Sequence, residues 1–225
     1  MPSYSVHYFP DVRAVAEPIE LLLTYTGTPF ERVRVNQEKW MEIKWNYLRG
    51  KLPVLVVDGK QLCEVAVILK YLGDTLGLTP KDPWDAIKEL ELLNGYSDSY
   101  QEMFSWIYLP DGGSDKPTFV ALKAEQWQLE GMLGNPSGWI YDSICAGDFA
   151  MHNLSKALSY YWGVPLSDYP KISAHNEQLE ALPQLKAYFE KVKDVSWSGG
   201  LCPNEDPKGE MAKIIKSFTI YQKSE

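Results

Sequence analysis

The chain has 225 residues, 45% hydrophobic and 23% charged, with a formal net charge of −8. That length allows one large or two modest domains with a sizeable core, and the acidic balance argues against nucleic acid or an anionic membrane as the main partner. No apolar run approaches the ~20 residues of a membrane span. The first residues lack the basic and long apolar regions of a secretory signal. Three unclustered cysteines (Cys63, Cys145, Cys202) and scattered histidines (His7, His152, His175) suggest a reducing compartment, with neither a disulfide framework nor a metal site. The expectation is a cytoplasmic protein without a metal.

Tyr4 to Phe9 alternates as a strand does, with Tyr4, Val6 and Tyr8 on one face. After the short loop Pro10–Arg13, Ile19, Leu22, Leu23 and Thr26 recur at helical spacing. Pro18 is tolerated in the first turn of that helix, and Gly27 ends it. Phe30 to Val35 reads as a second strand, and Lys39 to Trp45 as a short irregular helix. The most informative stretch follows, Arg49 to Val65 (RGKLPVLVVDGKQLCEV). Asp58-Gly59 between two strand-like runs is a strong hairpin signal, because both turn positions favour positive φ. Val54 to Val57 reads as a strand buried on both faces. Pro53 cannot donate to a ladder and must open that strand. Leu52–Pro53 is then either a cis bond or a plain strand start. Val65, Ile68, Leu69, Leu72 and Leu76 trace one face of a helix that ends near Gly77. The order β-α-β-α-β-β-α in the first ~78 residues predicts a small mixed sheet.

Composition changes at Thr79-Pro80-Lys81-Asp82-Pro83, a two-proline linker. Beyond it strands vanish. Helices are predicted over Trp84–Leu109, Phe119–Leu133, Ala146–Trp162, Ile172–Leu182 and Gln184–Val192, with loops rich in Gly, Pro, Ser and Asp between them. Only Glu210 to Phe218 looks helical in the tail that occupies 195–225. The expected organisation is an α/β domain over 1–78, a linker over 79–83 and an all-helical domain with its tail over 84–225.

Several segments in order carry a family resemblance: YFPDVRAVAEPIELLL, EKWMEIK, GKLPVLVVDGK, VILKYLGDTLGL, GDFAMHNL and YPKISAHNEQLEALPQLKAYFEKV. Over roughly residues 4–192 the chain resembles the cytosolic glutathione transferases. It is most similar to the tyrosine-type classes, and among them to the sigma class that includes the glutathione-dependent prostaglandin D synthases. The resemblance implies a thioredoxin-like N-terminal domain joined to an all-helical C-terminal domain, glutathione as substrate, and a homodimer. It makes Tyr8 the residue whose hydroxyl donates to the glutathione sulfur, favouring the nucleophilic thiolate over the thiol. Trp40, Lys44 and Lys51 match residues that grip the glycine end, the lysines supplying charge against its carboxylate. Leu52, before Pro53, matches the residue whose backbone pairs with the cysteinyl unit. Glu64 and Val65 fall at a helix N-terminus that receives the γ-glutamyl carboxylate. Arg13 matches the first basic residue of the loop after Tyr8, and Asp98 an acidic residue that reaches the partner subunit's ligand. Without that resemblance, Tyr8 reads as an ordinary strand aromatic, the lysines as solvated surface and Asp98 as an exposed helix carboxylate.

Three departures stand out. Val65 replaces the family's serine and removes one donor to the γ-glutamyl carboxylate. The loop between Tyr8 and Ala16 is one residue longer than usual, so that the sigma-type arginine falls on Val15. Cys145 occupies the Ser/Thr position of a capping box completed by Asp148. The expected activity is transfer of the glutathione thiolate to a small hydrophobic electrophile, held among Phe9, Val12, Phe104, Trp106 and Tyr108. These aromatics read equally well as core. Glutathione-dependent isomerisation and a non-catalytic ligand-binding or structural member of the same fold are the alternatives.

Overall fold

The computed structural model describes residues 2–107, 128–162, 165–195 and 197; the side chains of 105–107 and 162 also lie outside the description. Strand β1 (Tyr4–Tyr8) alternates as its sequence does, with Tyr4, Val6 and Tyr8 buried. Helix α1 (Glu17–Tyr25) carries Pro18 in its first turn and crosses to β2 (Glu31–Arg34), which pairs parallel to β1. A parallel pair requires such a crossover. Strand β3 (Val54–Val57) pairs antiparallel with the other edge of β1, and β4 (Lys60–Cys63) follows through the tight turn. The sheet order is β2-β1-β3-β4. Asp58 and Gly59 have φ of 48° and 79°, the left-handed pair that a two-residue hairpin requires. Val54 and Leu55 have no exposed surface, whereas Val56 and Val57 are only half-buried, because that end of β3 runs out towards the turn. The expectation of a strand buried on both faces thus holds for its first half.

Between β2 and β3 lies α2 (Trp40–Ile43), continued by 3-10 turns at Lys44–Asn46 and Leu48–Gly50. Helix α3 (Val65–Leu76) ends at Gly77, which takes the left-handed conformation at φ 77°. Beyond α3 the regular elements among the described residues are helical, chiefly α4 (Pro83–Ile107), residues 128–132, α5 (Ala146–Trp162), α6 (Pro170–Glu180) and α7 (Lys186–Val192). Helix α6 starts two residues earlier than its apolar periodicity suggested. Pro170 suits a first turn, and both carboxylate oxygens of Glu130 accept the amides of Lys171 and Ile172 at 2.9 Å. Most of the predicted Phe119–Leu133 helix, the Glu210–Phe218 segment, the tail beyond 197 and Cys202 lie outside the described residues.

One continuous hydrophobic core joins the sheet to the helices, from Val6, Leu22 and Leu69 to Phe149, Leu158 and Ile172. The N-terminus of α5 sits in it. The Asp148 carboxylate reaches back to the Cys145 amide at 2.8 Å, which is half of the predicted capping box. The rest of the cap is tertiary: Leu78 O accepts the Ala146 amide at 3.0 Å and Glu89 accepts the Gly147 amide at 3.1 Å. Neighbouring elements thus serve donors that a weak sulfur cap would leave orphaned.

Candidate active site

The hairpin and α3 build one wall of a cleft of about 380 Å³. Leu52–Pro53 is cis, and Pro53 is buried at the mouth of β3. Lys51, Leu52 and Pro53 line that wall together with Glu64 and Val65, where α3 begins. Glu64 is the N-cap residue of α3 at φ 70° and offers no side-chain cap, so the first-turn amides remain open to another acceptor. Its carboxylate instead pairs with Arg49, Nη1 to Oε1, at 3.1 Å. The opposite wall is α4, through Tyr96, Ser97, Tyr100, Gln101 and Phe104, and Val15 closes one end.

Tyr8 is buried directly behind this cleft, at 4% exposure. It clusters with Val12, Ala14 and Ala16, and three cleft residues (Val15, Leu52, Phe104) pack on that cluster. Phe9 meets Trp40 edge-on at 5.4 Å, and Trp40 in turn packs on Tyr47 at 5.8 Å. Lys44 Nζ lies 4.7 Å from the ring centroid of the exposed Trp45, and Lys51 is exposed at the rim. Asp98 is exposed on α4 beside the cleft residue Ser97. Arg13 does not line the cleft. It bonds Glu17 Oε1 at 2.6 Å and stacks over Trp197 at 4.3 Å. The side chain of Trp106 and all of Tyr108 lie outside the described residues.

Four non-glycine residues near this site have positive φ: Asp11, Ala14, Arg49 and Glu64. Such conformations cost of order 1–3 kcal/mol each and tend to gather at functional sites.

Residues 4–74 match the glutathione S-transferase N-terminal domain. Probable glutathione S-transferase 5 of Caenorhabditis elegans is 30% identical over 84% of this chain and 97% of its own length. This chain belongs to the glutathione S-transferase family. A glutathione S-transferase of Anopheles gambiae is 28% identical over 95% of this chain and 97% of its own. The solved structure of prostaglandin synthase D of Nilaparvata lugens superposes with a TM-score of 0.73 at 27% identity, covering 84% of this chain and 98% of that one. The thioredoxin-like sheet with a helical C-terminal region is thus the family fold. Of the site residues predicted from the sequence, those from Tyr8 to Val65 fall inside the matched segment, while Asp98 and Phe104 fall beyond it. Among the described residues no group of three or more His, Cys, Asp or Glu could hold a metal ion, and no helix is long and apolar enough to cross a membrane.

Sequence reasoning missed what lies beneath the cleft. Asn153 of α5 accepts the hydroxyls of Tyr96 (2.8 Å) and Tyr100 (2.6 Å) and donates to Glu17 Oε2 and Ala14 O, both at 3.0 Å. Burial pushes the Tyr96 and Tyr100 phenols well above the usual tyrosine range, and nearby Tyr8 adds to the effect. They therefore stay protonated donors. The signal was present in part: Tyr96, Tyr100 and Phe104 stand four apart and share a helix face. Asn153 carries no such signal.

Proposed function

We propose that this member of the family binds glutathione in the cleft, activates its thiol through Tyr8, and transfers the thiolate to a small hydrophobic electrophile. The observation that carries this reading is the junction of two unlike walls in front of Tyr8. One wall offers a strand end, a lysine and open helix amides. The other offers an aromatic helix face. The first suits a peptide with carboxylates at both ends. Lys44 and Lys51, with Trp40, would hold the glycine carboxylate, the Leu52 backbone would pair with the cysteinyl unit, and the α3 amides at Glu64 and Val65 would donate to the γ-glutamyl carboxylate. The second suits an apolar co-substrate against Phe104, with Phe9 and Val12 beside Tyr8 as the other boundary; Trp106 and Tyr108 are proposed for the same role from the sequence alone. Arg13 then acts from behind, through Glu17, on the loop that follows Tyr8.

In the reaction the Tyr8 hydroxyl donates to sulfur, the thiol proton passes to solvent, a carbon–sulfur bond forms, and the leaving group departs with its electron pair. Each pKa unit by which Tyr8 lowers the bound thiol is worth about 1.4 kcal/mol. Similarity to a prostaglandin synthase D supports a second reading, isomerisation, in which the thiolate adds, is expelled and is regenerated. We further propose two structural units, 1–78 and 84–225, joined by 79–83, and a cytoplasmic homodimer in which Asp98 serves the neighbouring site. Light scattering should give twice 25.6 kDa; a stable monomer rejects both the dimer and that role.

Tyr8→Phe tests the central claim. It keeps the ring and removes the donor, so glutathione affinity should survive. The bound thiolate should titrate at higher pH, and turnover of an aryl halide should fall by about one to three powers of ten, the worth of one preorganised donor. An unaltered pH–rate profile rejects the tyrosine mechanism. Wild-type protein that binds glutathione yet turns over neither an electrophile nor an isomerisable substrate is a carrier.

A further inference from the structure

Asn153 has no exposed surface, and its four contacts fill the hydrogen-bonding capacity of its amide, two lone pairs and two N–H groups. The partners belong to two different parts of the cleft. Tyr96 and Tyr100 belong to its α4 wall, whereas Ala14 belongs to the turn that delivers Val15 to its end.

Two consequences follow for the cleft. With both phenol hydroxyls donated downward to Asn153, these tyrosines turn ring carbon rather than hydroxyl towards a ligand. Ser97, between them, gives its hydroxyl to Leu93 O at 3.2 Å, so it too is satisfied within the helix. The α4 wall is therefore less polar than its composition implies, with the exposed Gln101 its remaining polar side chain. Secondly, Ala14 sits at φ 29°, where a residue with a Cβ persists only if its surroundings hold it. The Asn153 amide on its carbonyl is one such restraint, and the neighbouring Val15 depends on it for its place in the cleft.

We infer that Asn153 is a positioning residue that ties the α4 wall to the Ala14–Val15 turn and so sets the apolar, hydroxyl-poor character of the electrophile half. The site would accordingly favour flat or extended apolar acceptors over co-substrates that need hydrogen bonds from the wall. This inference rests on the glutathione reading for the identity of the ligands but makes a separate claim.

The test compares two ligands by calorimetry: glutathione, and S-hexylglutathione, whose alkyl chain enters the electrophile half. Wild type should bind the alkylated ligand more tightly. In Asn153→Ala that preference should fall about tenfold, equivalent to about 1.4 kcal/mol, while glutathione affinity stays within about threefold. Should Asn153→Ala fail to fold, Asn153→Ser supports the same comparison, because the shorter side chain cannot span all four partners. A merely structural role would lower the melting temperature and the fraction of binding-competent protein without altering the preference. An unchanged preference in the folded variant overturns the inference while leaving the glutathione reading intact. A wild type that binds neither ligand overturns that reading, and this inference with it.

Discussion

Val65→Ser puts a hydroxyl at the first position of α3, facing the cleft. The N-cap residue Glu64 makes no side-chain cap, and its carboxylate is partly neutralised by Arg49 at 3.1 Å. A γ-glutamyl carboxylate arriving there gains one charge-assisted hydrogen bond, worth about 1.5–3 kcal/mol. The cleft is open to water, so the lower half of that range applies, and affinity should rise about twelve- to fortyfold. Stability should move the other way. Val65 is half-buried and packs against the main core, so losing its methyls should cost about 0.5–1.5 kcal/mol and lower Tm by about 1–6 °C. Calorimetry with glutathione and a thermal melt on the same protein read both effects. Because the two have opposite signs, altered folding cannot imitate the result. A Tm lowered as expected with an unchanged glutathione Kd would refute the reasoning, since the hydroxyl would be in place and the carboxylate elsewhere.

Acid sensitivity should arise in part at Glu180. Burial pushes its carboxyl up, but hydrogen bonds from His152 and Lys156 outweigh burial and hold it at about 2. A folded value below the ordinary 4.5 contributes stability that is present above pH 4.5 and lost as pH falls towards 2. Glu180→Gln should therefore flatten the acid limb of a denaturation series, and an unchanged limb argues against this origin. Glu20, raised by its burial, contributes with the opposite sign and sets a background that the variant shares. Cys145, whose thiol is pushed well above its usual range by burial and by the neighbouring Asp148 and Glu89 carboxylates, should resist iodoacetamide in the native state and react on unfolding. Cys145→Ser should change stability by less than about 0.5 kcal/mol, because Leu78 and Glu89 already accept the first-turn amides; a denaturation midpoint raised by the worth of a full cap would show that those amides were not satisfied.

Most of the fold was legible because local and tertiary demands coincide. Asp58-Gly59 prescribes the left-handed turn that joins β3 to β4, and Gly77 the left-handed end of α3. The alternation of Tyr4, Val6 and Tyr8 is what a central strand with two differently packed faces requires. Errors arose where a distant residue overrides local pattern. The periodicity of α6 begins at Ile172, but the helix begins at Pro170 because Glu130, some forty positions earlier, accepts its first free amides. Cys145 reads as a weak cap in isolation, yet Leu78 and Glu89 supply what the sulfur does not. Partners separated so far in the chain leave no spacing to read.

The same distinction divides the site. The hairpin wall is contiguous in sequence, so Lys51, Leu52, Pro53, Glu64 and Val65 were identifiable together, and they line one cleft. The opposite wall was identifiable only where helical spacing repeats, as from Tyr96 to Tyr100 to Phe104. The link between the α4 wall and the Ala14–Val15 turn had no local signature at all. Asn153 and Ala14 are 139 positions apart, and either alone is an ordinary buried residue. Arg13 illustrates the limit from the other direction. A basic residue placed after Tyr8 suggests an anion contact, but its guanidinium faces Glu17, which is fully buried and needs a counter-ion more than the rim does. Leaving that carboxylate unpaired would cost about 3–5 kcal/mol, more than the roughly 1.5–3 kcal/mol that one charge-assisted bond to a ligand returns. The interior therefore has first claim on the charge. On the proposed mechanism, holding the thiolate would then fall to Tyr8, with Val15 rather than an arginine lining the cleft.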